Sequence, residues 1–368
     1  MRVLHCIWRM SVGGAEGQLV RLAAGLVRRG VEVDVATMFP GAFDADLVAA
    51  GANLHRLNVA GKYDPLMLFR LMTLCRRVRV DVMQTHLTQM DIVGGTVAEI
   101  LRIPWVLSER SMTTAYPATV AHRLRSAIGA GADLIVPNSV GGAEYWQDIV
   151  RDPRRIRVIP NVVPQSEIDA APHLTHEEAG FDAGDEVVLF VGRFSAEKNL
   201  ETLLDAVSLV VQSRKIAFVF CGDGSMRAQV ESKARELGIA DRTRFLGNVA
   251  NVWSWMKRAD AMVTVSLFEG NPNAVLEAIA ANTPLVVSDI PGHHALLNEH
   301  SAWFVDPASA SSIAAGLVAA LSDRNEARER AARARVVLAS RSGDEIAARY
   351  EEVYRELLAR RQRSGGTV

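Results

Sequence analysis

Ala261-Met-Val-Thr-Val-Ser-Leu-Phe-Glu-Gly-Asn-Pro-Asn-Ala-Val-Leu-Glu277 holds a strand, a break and a helix start in one short stretch. Ala261–Val265 is a β-type run, and Gly270 and Asn271 interrupt it. Pro272 suits a first helical position, where its missing N–H has no partner to lose, and helix formers continue to Ala281. The same unit recurs along the chain. Residues 1–8 read as a first strand, followed by Val31–Thr37, Val82–Thr85, Trp105–Leu107, Leu134–Val136 and Arg157–Ile159. A second series comprises Val187–Val191, Ile216–Cys221, Arg244–Leu246, Ala261–Val265, Leu285–Ser288 and Ala302–Val305. Strands alternating with amphipathic segments mean βαβ units, so the fold class is α/β with parallel sheets covered by helices on both faces. About twelve strands in two series are better served by two sheets than one.

At 368 residues the chain exceeds the usual reach of one core. The most loop-like stretch runs from Pro160-Asn-Val-Val-Pro164 to Gly184, which sets the expected domains at 1–163 and 164–343. A last helix is expected over 344–361, with Ile346, Tyr350, Val353, Tyr354, Leu357 and Leu358 on one stripe that needs a partner surface. Residues 362–368 are expected to be a disordered tail.

Three loops after strands carry chemistry. At the helix start after Pro272, the N–H groups of Asn273, Ala274 and Val275 have no intrahelical partner and suit a phosphate. Glu277 lies about 7 Å further along the axis, the reach from a phosphate to ribose hydroxyls. Glu269, before the helix, would face whatever the distal phosphate carries. The plain alternative is two solvated carboxylates, but Glu277 is the single charge of a nearly apolar helix. In the second loop, Gly192-Arg-Phe-Ser-Ala-Glu-Lys-Asn199, Arg193 and Lys198 could neutralise a diphosphate leaving group, or could be surface cations pairing with Glu197. In the third, Ser11-Val-Gly-Gly-Ala-Glu16, Gly13 and Gly14 either let backbone approach a phosphate or form a tight turn, with a helix from about Gly17 to Arg29. Cys221-Gly-Asp-Gly224 and Phe245-Leu-Gly247 either frame a nucleotide base or are glycine turns.

His86 also follows a strand, although most lone histidines are structural. His5 and His55 read as packing residues within strands. His293 and His294 lack a metal-ligand partner set, and Asp44 and Asp46 lie on a solvated helix face, so no metal site and no cofactor are expected. Cys6, Cys75 and Cys221 are scattered, as in a reducing cytoplasm. No run reaches the roughly 18 apolar residues of a membrane span, and the apolar stretch before Arg9 is too short for a signal peptide. The net charge of −1 hides an asymmetry: residues 1–165 hold 19 Lys/Arg against 14 Asp/Glu, and the remainder hold 41 − 19 = 22 against 42 − 14 = 28. No nucleic-acid partner is expected. Arg70, Arg76, Arg77 and Arg79 on one amphipathic stretch, and Arg123 and Arg125 on another, form either solvated faces or a surface for anionic lipid.

Gly13-Gly-Ala-Glu16, Val191-Gly-Arg193 with Glu197-Lys-Asn199, and Glu269-Gly-Asn-Pro-Asn with Glu277-Ala278 together resemble the retaining glycosyl transferases of the group 1 family. Ile159-Pro-Asn161, Phe245-Leu-Gly247, Thr283-Pro-Leu-Val-Val287 and Phe304-Val-Asp-Pro307 fit the same pattern, so the resemblance covers nearly the whole chain. It implies a GT-B architecture, with two doubly wound Rossmann-like domains facing across a cleft and a C-terminal helix crossing back to the first. It also implies transfer of a sugar from a nucleoside diphosphate sugar with retention and without metal. Glu277 would hold the ribose hydroxyls, Arg193 and Lys198 the diphosphate, Glu269 with the Asn273–Ala274 region the donor sugar, and Gly13-Gly14 the donor phosphates. His86 matches the family's N-domain histidine near the donor sugar. The expected acceptor is a glycan or polyprenol-linked glycan of the cell envelope or an extracellular polysaccharide, met in the cytoplasm at the inner membrane face. Asn161-Val-Val-Pro164, Ala281-Asn-Thr-Pro284 and Ser108-Glu-Arg110 depart from the family's usual residues, the last on the acceptor side. The alternatives are a sugar-nucleotide epimerase or hydrolase on the same fold and a non-catalytic binding subunit. On the main reading, Glu277→Gln weakens nucleotide binding, whereas Glu269→Gln spares it and impairs transfer.

Overall fold

The computed structural model describes residues 1–61, 64–110, 119–175, 177–180, 182 and 184–365. Among these, twelve strands form two six-stranded parallel sheets, each within its own compact unit. The first unit spans Met1–Val162 and resumes at Ser340; the second is Val163–Ala339.

In the first unit the strands are β1 (Arg2–Cys6), β2 (Glu32–Thr37), β3 (Asn53–Arg56), β4 (Val82–His86), β5 (Trp105–Glu109) and β6 (Leu134–Pro137), in the order β3-β2-β1-β4-β5-β6. β1 is central and covered on both faces, which is why Val3, Leu4 and Cys6 are all buried. The expected strand Arg157–Ile159 is not one. Ile156 makes an isolated bridge to Ile135, and Arg157 and Ile159 donate to the carbonyls of Ile135 and Pro137. Pro160 then has no N–H with which to extend a ladder.

The last helix, Gly343–Gly365, packs on the helix Gly14–Arg28 of this unit. Ile346, Ala347, Tyr350, Val353, Tyr354 and Leu357 join Leu19, Leu22 and Leu26 in one apolar cluster. A Cβ at Gly25 would stand 2.7 Å from that of Ala347, so the glycine sets the close approach of the two helices. Arg29–Glu351 at 2.5 Å and Arg157–Glu356 at 3.0 Å fix the register. The helix outruns its expected end at residue 361, because no helix breaker precedes Gly365, and the Arg363 side-chain Nε reaches back to the Ala359 carbonyl. Residues 362–365 are therefore helical rather than disordered, and 366–368 lie outside the described residues.

Arg125 corrects another expectation. On the helix Val120–Gly129, it is 1% exposed, with its Nε 2.7 Å from Asp91 and its Nη2 2.9 Å from Glu109. Trp146 Nε1 also donates to Glu109, and Thr85 Oγ1 to Asp91. The guanidinium is thus tied into the interior and offers nothing to a lipid surface. Arg70 likewise spends its guanidinium on the Leu57 and Asn58 carbonyls. Arg76, Arg77, Arg79 and Arg123 remain exposed.

The second unit contains β7 (Glu186–Val191), β8 (Ile216–Cys221), β9 (Thr243–Gly247), β10 (Ala261–Thr264), β11 (Leu285–Ser288) and β12 (Trp303–Val305), in the order β12-β11-β10-β7-β8-β9. Successive β7 side chains alternate: Val188 and Phe190 enter one apolar cluster, Val187 and Leu189 another. No helix among the described residues is long and apolar enough to cross a membrane.

Candidate functional site

In open parallel sheets, ligands bind beyond the strand C-termini where the strand order reverses direction. In the second unit the chain builds outward from β7 through β8 and β9, then returns to β10 and builds the other way, so the reversal falls between β7 and β10. Both charged loops singled out in the sequence leave these two strands. The Leu267 N–H donates to the Glu197 carbonyl at 2.8 Å, joining the loops through backbone. Lys198 Nζ then forms an ion pair with Glu269 Oε1, both side chains being largely buried. Ser266 Oγ donates to the same carboxylate oxygen at 2.7 Å.

Lys198 therefore pairs with Glu269 and not with Glu197. Glu197 instead accepts from Ser195 Oγ at 2.5 Å. Burial would raise its carboxyl, but that bond, its own N–H and the nearby Lys198 and Arg193 charges together hold it below the ordinary value. The Arg193 side chain is exposed, and none of the side-chain hydrogen bonds or ion pairs among the described residues engages it.

The helix after β10 begins one residue later than expected. Pro272 is the N-cap, Asn273 the first helical residue, and the Pro272 carbonyl accepts from Leu276. The N–H groups that precede the first intrahelical bond are still those of Asn273 to Val275. Glu277 is half-buried among the buried Val275, Leu276, Ala278, Ile279 and Ala280 of this helix and accepts from Trp253 Nε1 at 3.1 Å. The glycine turn at Gly222 proves to be a packing device: φ is +142°, and a Cβ would stand 1.9 Å from the Gly192 carbonyl oxygen. It seats the β8 loop against the loop that carries Arg193.

In the first unit the order reverses between β1 and β4. His86 ends β4 and the glycine pair follows β1. The helix starts at Gly14, earlier than expected, with Gly13 as an extended N-cap. The Glu16 carboxylate folds back to within 2.4 Å of where a Gly13 Cβ would be, so this helix end already carries an acidic group. His86 is fully buried, its Nε2 3.1 Å from His5 Nδ1 and the two rings stacked at 5.4 Å. Burial, then the neighbouring ring and Arg110, hold His86 well below its ordinary pKa. Burial and Arg110 lower His5 to about 3, so both rings are neutral near pH 7. In the Ser108-Glu-Arg110 segment, Glu109 holds Arg125, while Arg110 Nη1 donates to Asn161 Oδ1 at 3.0 Å.

Asp44 of the Asp-x-Asp pair bonds the Gly41 N–H and pairs with Arg56 at 2.6 Å. Among the described residues no group of three or more His, Cys, Asp or Glu is placed to hold a metal.

Both units match known families along their length. The glycosyl transferase 4-like domain matches residues 13–162, and glycosyl transferases group 1 matches residues 174–336. The chain belongs to the group 1 glycosyl transferases. This transferase is 28% identical over 354 residues to an uncharacterized glycosyltransferase of Methanocaldococcus jannaschii, covering 88% of this chain and 90% of the other. It is 24% identical over 282 residues, 73% of each chain, to the Escherichia coli UDP-Gal:alpha-D-GlcNAc-diphosphoundecaprenol alpha-1,3-galactosyltransferase. Among solved structures, Anabaena HepE in complex with UDP-glucose superposes with a TM-score of 0.85 at 19% identity, over 97% of this chain and 100% of that one. The fold of the transferase is GT-B, with the C-terminal helix packed on the N-terminal domain as expected.

Sequence reasoning missed two residues that shape the transferase's loops. Trp253 gave no signal, because its link to Glu277 depends on how two helices pack. His293 was weighed only as a metal ligand, although it too lies in a segment that leaves a strand C-terminus, in the helix Pro291–His294 after Leu285–Ser288.

Proposed function

We propose that this transferase moves a hexosyl group from a nucleoside diphosphate sugar to a glycan or polyprenol-linked acceptor, with retention and without a metal ion. The observation that carries the reading is the Lys198–Glu269 pair at the strand-order reversal, with Glu269 in the loop that leads into the N-terminus of the helix Asn273–Ala280. A cation and an oriented helix end suit a diphosphate, and a carboxylate next to them suits sugar hydroxyls. Glu277, one helical turn on from Asn273, takes the ribose hydroxyls. His86 and the Gly13-Gly14 turn are assigned to the donor side through the family resemblance. HepE, a protein of the same fold, was solved with UDP-glucose, and the Escherichia coli relative is named for a diphosphoundecaprenol-linked acceptor.

Reaction on the side of the departing group fits this residue set. The bond from the anomeric carbon to the phosphate oxygen breaks, the acceptor oxygen bonds the same face, and its proton passes to the leaving phosphate. Arg193, Lys198 and the helix N–H groups offset the charge that develops on the diphosphate. The test is incubation with labelled uridine and guanosine diphosphate sugars, with and without a polyprenol-linked acceptor, in the presence of a chelator. An α-linked product from an α-linked donor, formed only with acceptor, is the expected result. Conversion of donor without acceptor would identify an epimerase or hydrolase instead.

The reading extends to a site at the inner face of the cytoplasmic membrane, in assembly of cell-envelope or extracellular polysaccharide. Exposed Phe69 (65%) shares the helix Leu66–Val78 with Arg76 and Arg77, and exposed Val120 (79%) shares its helix with Arg123. Apolar anchors beside cations suit an anionic interface. The protein should sediment with vesicles containing phosphatidylglycerol and remain in the supernatant with phosphatidylcholine; equal recovery with both would remove this part of the proposal.

A further inference from the structure

His293 lies in the short helix Pro291–His294 after β11, with none of its surface exposed. Its Nδ1 is 2.9 Å from the Ser288 carbonyl oxygen and 3.2 Å from Ser288 Oγ. A carbonyl oxygen only accepts, so Nδ1 carries the proton and Nε2 is bare in the neutral ring. Burial lowers the ring's pKa, which keeps it neutral. Ser288 Oγ donates to the Ser266 carbonyl at 2.7 Å, and Ser266 Oγ donates to Glu269 Oε1 at 2.7 Å. A line of contacts thus runs from the imidazole through two serines to the carboxylate. Gly292 presses the same segment against the Glu269 backbone, since a Cβ there would stand 2.2 Å from the Glu269 carbonyl oxygen.

Nε2 is buried without a hydrogen-bond partner. Leaving a buried ring nitrogen unpaired carries a desolvation cost that an aliphatic side chain in this space would not incur. The bond at Nδ1 is what an imidazole supplies here and a leucine would not.

We propose that His293 is a positioning residue for Glu269: its Nδ1–H holds Ser288, and through Ser266 the hydroxyl chain sets the Glu269 carboxylate toward the donor sugar. This rests on the reading of Glu269 as a donor-sugar ligand. The need for such a restraint arises on binding. When the donor diphosphate draws Lys198 away, Glu269 loses its cation, and the Ser266 hydroxyl is the contact that still orients it. A strand-end hydroxyl whose own carbonyl is held by Ser288 moves less than a loop side chain would.

The variants His293→Leu, His293→Asn and Ser288→Ala separate this role from simple packing. Asparagine can place an N–H near the position of Nδ1 and has nothing at Nε2. His293→Leu and Ser288→Ala should lower kcat/KM for the donor about tenfold, while the Kd of the free nucleoside diphosphate changes less than about twofold. His293→Asn should recover most of the loss. In a Glu269→Gln background His293→Leu should add less than about twofold, because the group it positions is already gone. The proposal is overturned if His293→Leu transfers at the wild-type rate, if His293→Asn is as impaired as His293→Leu, or if the loss persists undiminished beside Glu269→Gln. Should His293→Leu fail to fold, Ser288→Ala removes only one hydroxyl, and an unchanged rate for it is equally fatal. Wild-type transfer by Glu269→Gln alone would sink both this proposal and the donor-sugar reading. An impaired Glu269→Gln beside an unimpaired His293→Leu would sink this proposal only.

Discussion

Glu269→Gln is expected to reduce sugar transfer by about a hundredfold or more while binding free nucleoside diphosphate more tightly than the wild type does. The loss of transfer follows from removing a charged contact whose worth grows as charge develops on the sugar in the transition state. The gain in binding follows from the Lys198–Glu269 pair. A diphosphate that recruits the Lys198 ammonium must first separate it from the carboxylate, and glutamine releases it. An ion pair of this kind contributes about 1 kcal/mol, so the affinity should rise about fivefold. The spacing of the two glutamates suggested that this variant would merely spare nucleotide binding; the ion pair changes the expected sign. Glu277→Gln gives the contrast, with binding weakened about tenfold through loss of a charge-assisted bond to the ribose. Titration calorimetry with the free diphosphate decides the matter, and weaker binding by Glu269→Gln would exclude the coupling.

Arg125→Leu should be the most destabilising of the substitutions considered. Asp91 and Glu109 are fully buried and share this one guanidinium, so its loss leaves two carboxylates without their cation. Breaking a buried pair in this way costs about 3–5 kcal/mol. The penalty should depend on pH. Burial raises the Asp91 carboxyl to about 6, a shift that the Arg125 charge and the Thr85 hydroxyl restrain. Its folded-state pKa thus lies above the unfolded value of about 3.9. The folded state then binds the extra proton, and the stability Asp91 contributes is full below about pH 4 and lost as pH rises through 6. Removing Arg125 raises the carboxyl further, so the variant should lose most at pH 8 and less at pH 5, where Asp91 is largely protonated in both proteins. Urea unfolding at the two pH values measures this; an equal loss at both would mean that packing dominates.

The alternation of strands and helices was legible because central parallel strands are buried on both faces and read as apolar runs, as in Val187–Val191 and Ile216–Cys221. Edge structure was harder. Residues 157–159 look like a strand, but they run beside β6 without a full ladder. Lys198 and Glu269 were legible as loop residues after strands, each with a ligand to suit it, but their pairing was not, because it depends on β10 lying beside β7 although two strands, β8 and β9, come between them in chain order. Arg125 looked like its neighbour Arg123 on a basic helix. Helical periodicity could not say which face meets Asp91 and Glu109, residues from β5 and another helix. His293 was passed over because a histidine without ligand-type neighbours in sequence gives no sign of the serines it meets in space.

The seam between the first helix and the last, closed by Tyr350, Tyr354 and Leu357, constrains how the protein is made. The N-terminal unit buries that face with residues translated only after all of Val163–Ala339. At about 5–20 residues per second, roughly ten to forty seconds pass between synthesis of β6 and arrival of its covering helix. For that interval Leu19, Leu22 and Leu26 have no Tyr350 or Tyr354 to pack on. Nascent chains stalled within the second unit should therefore recruit chaperones at the helix Gly14–Arg28 and release them once residue 357 clears the ribosome.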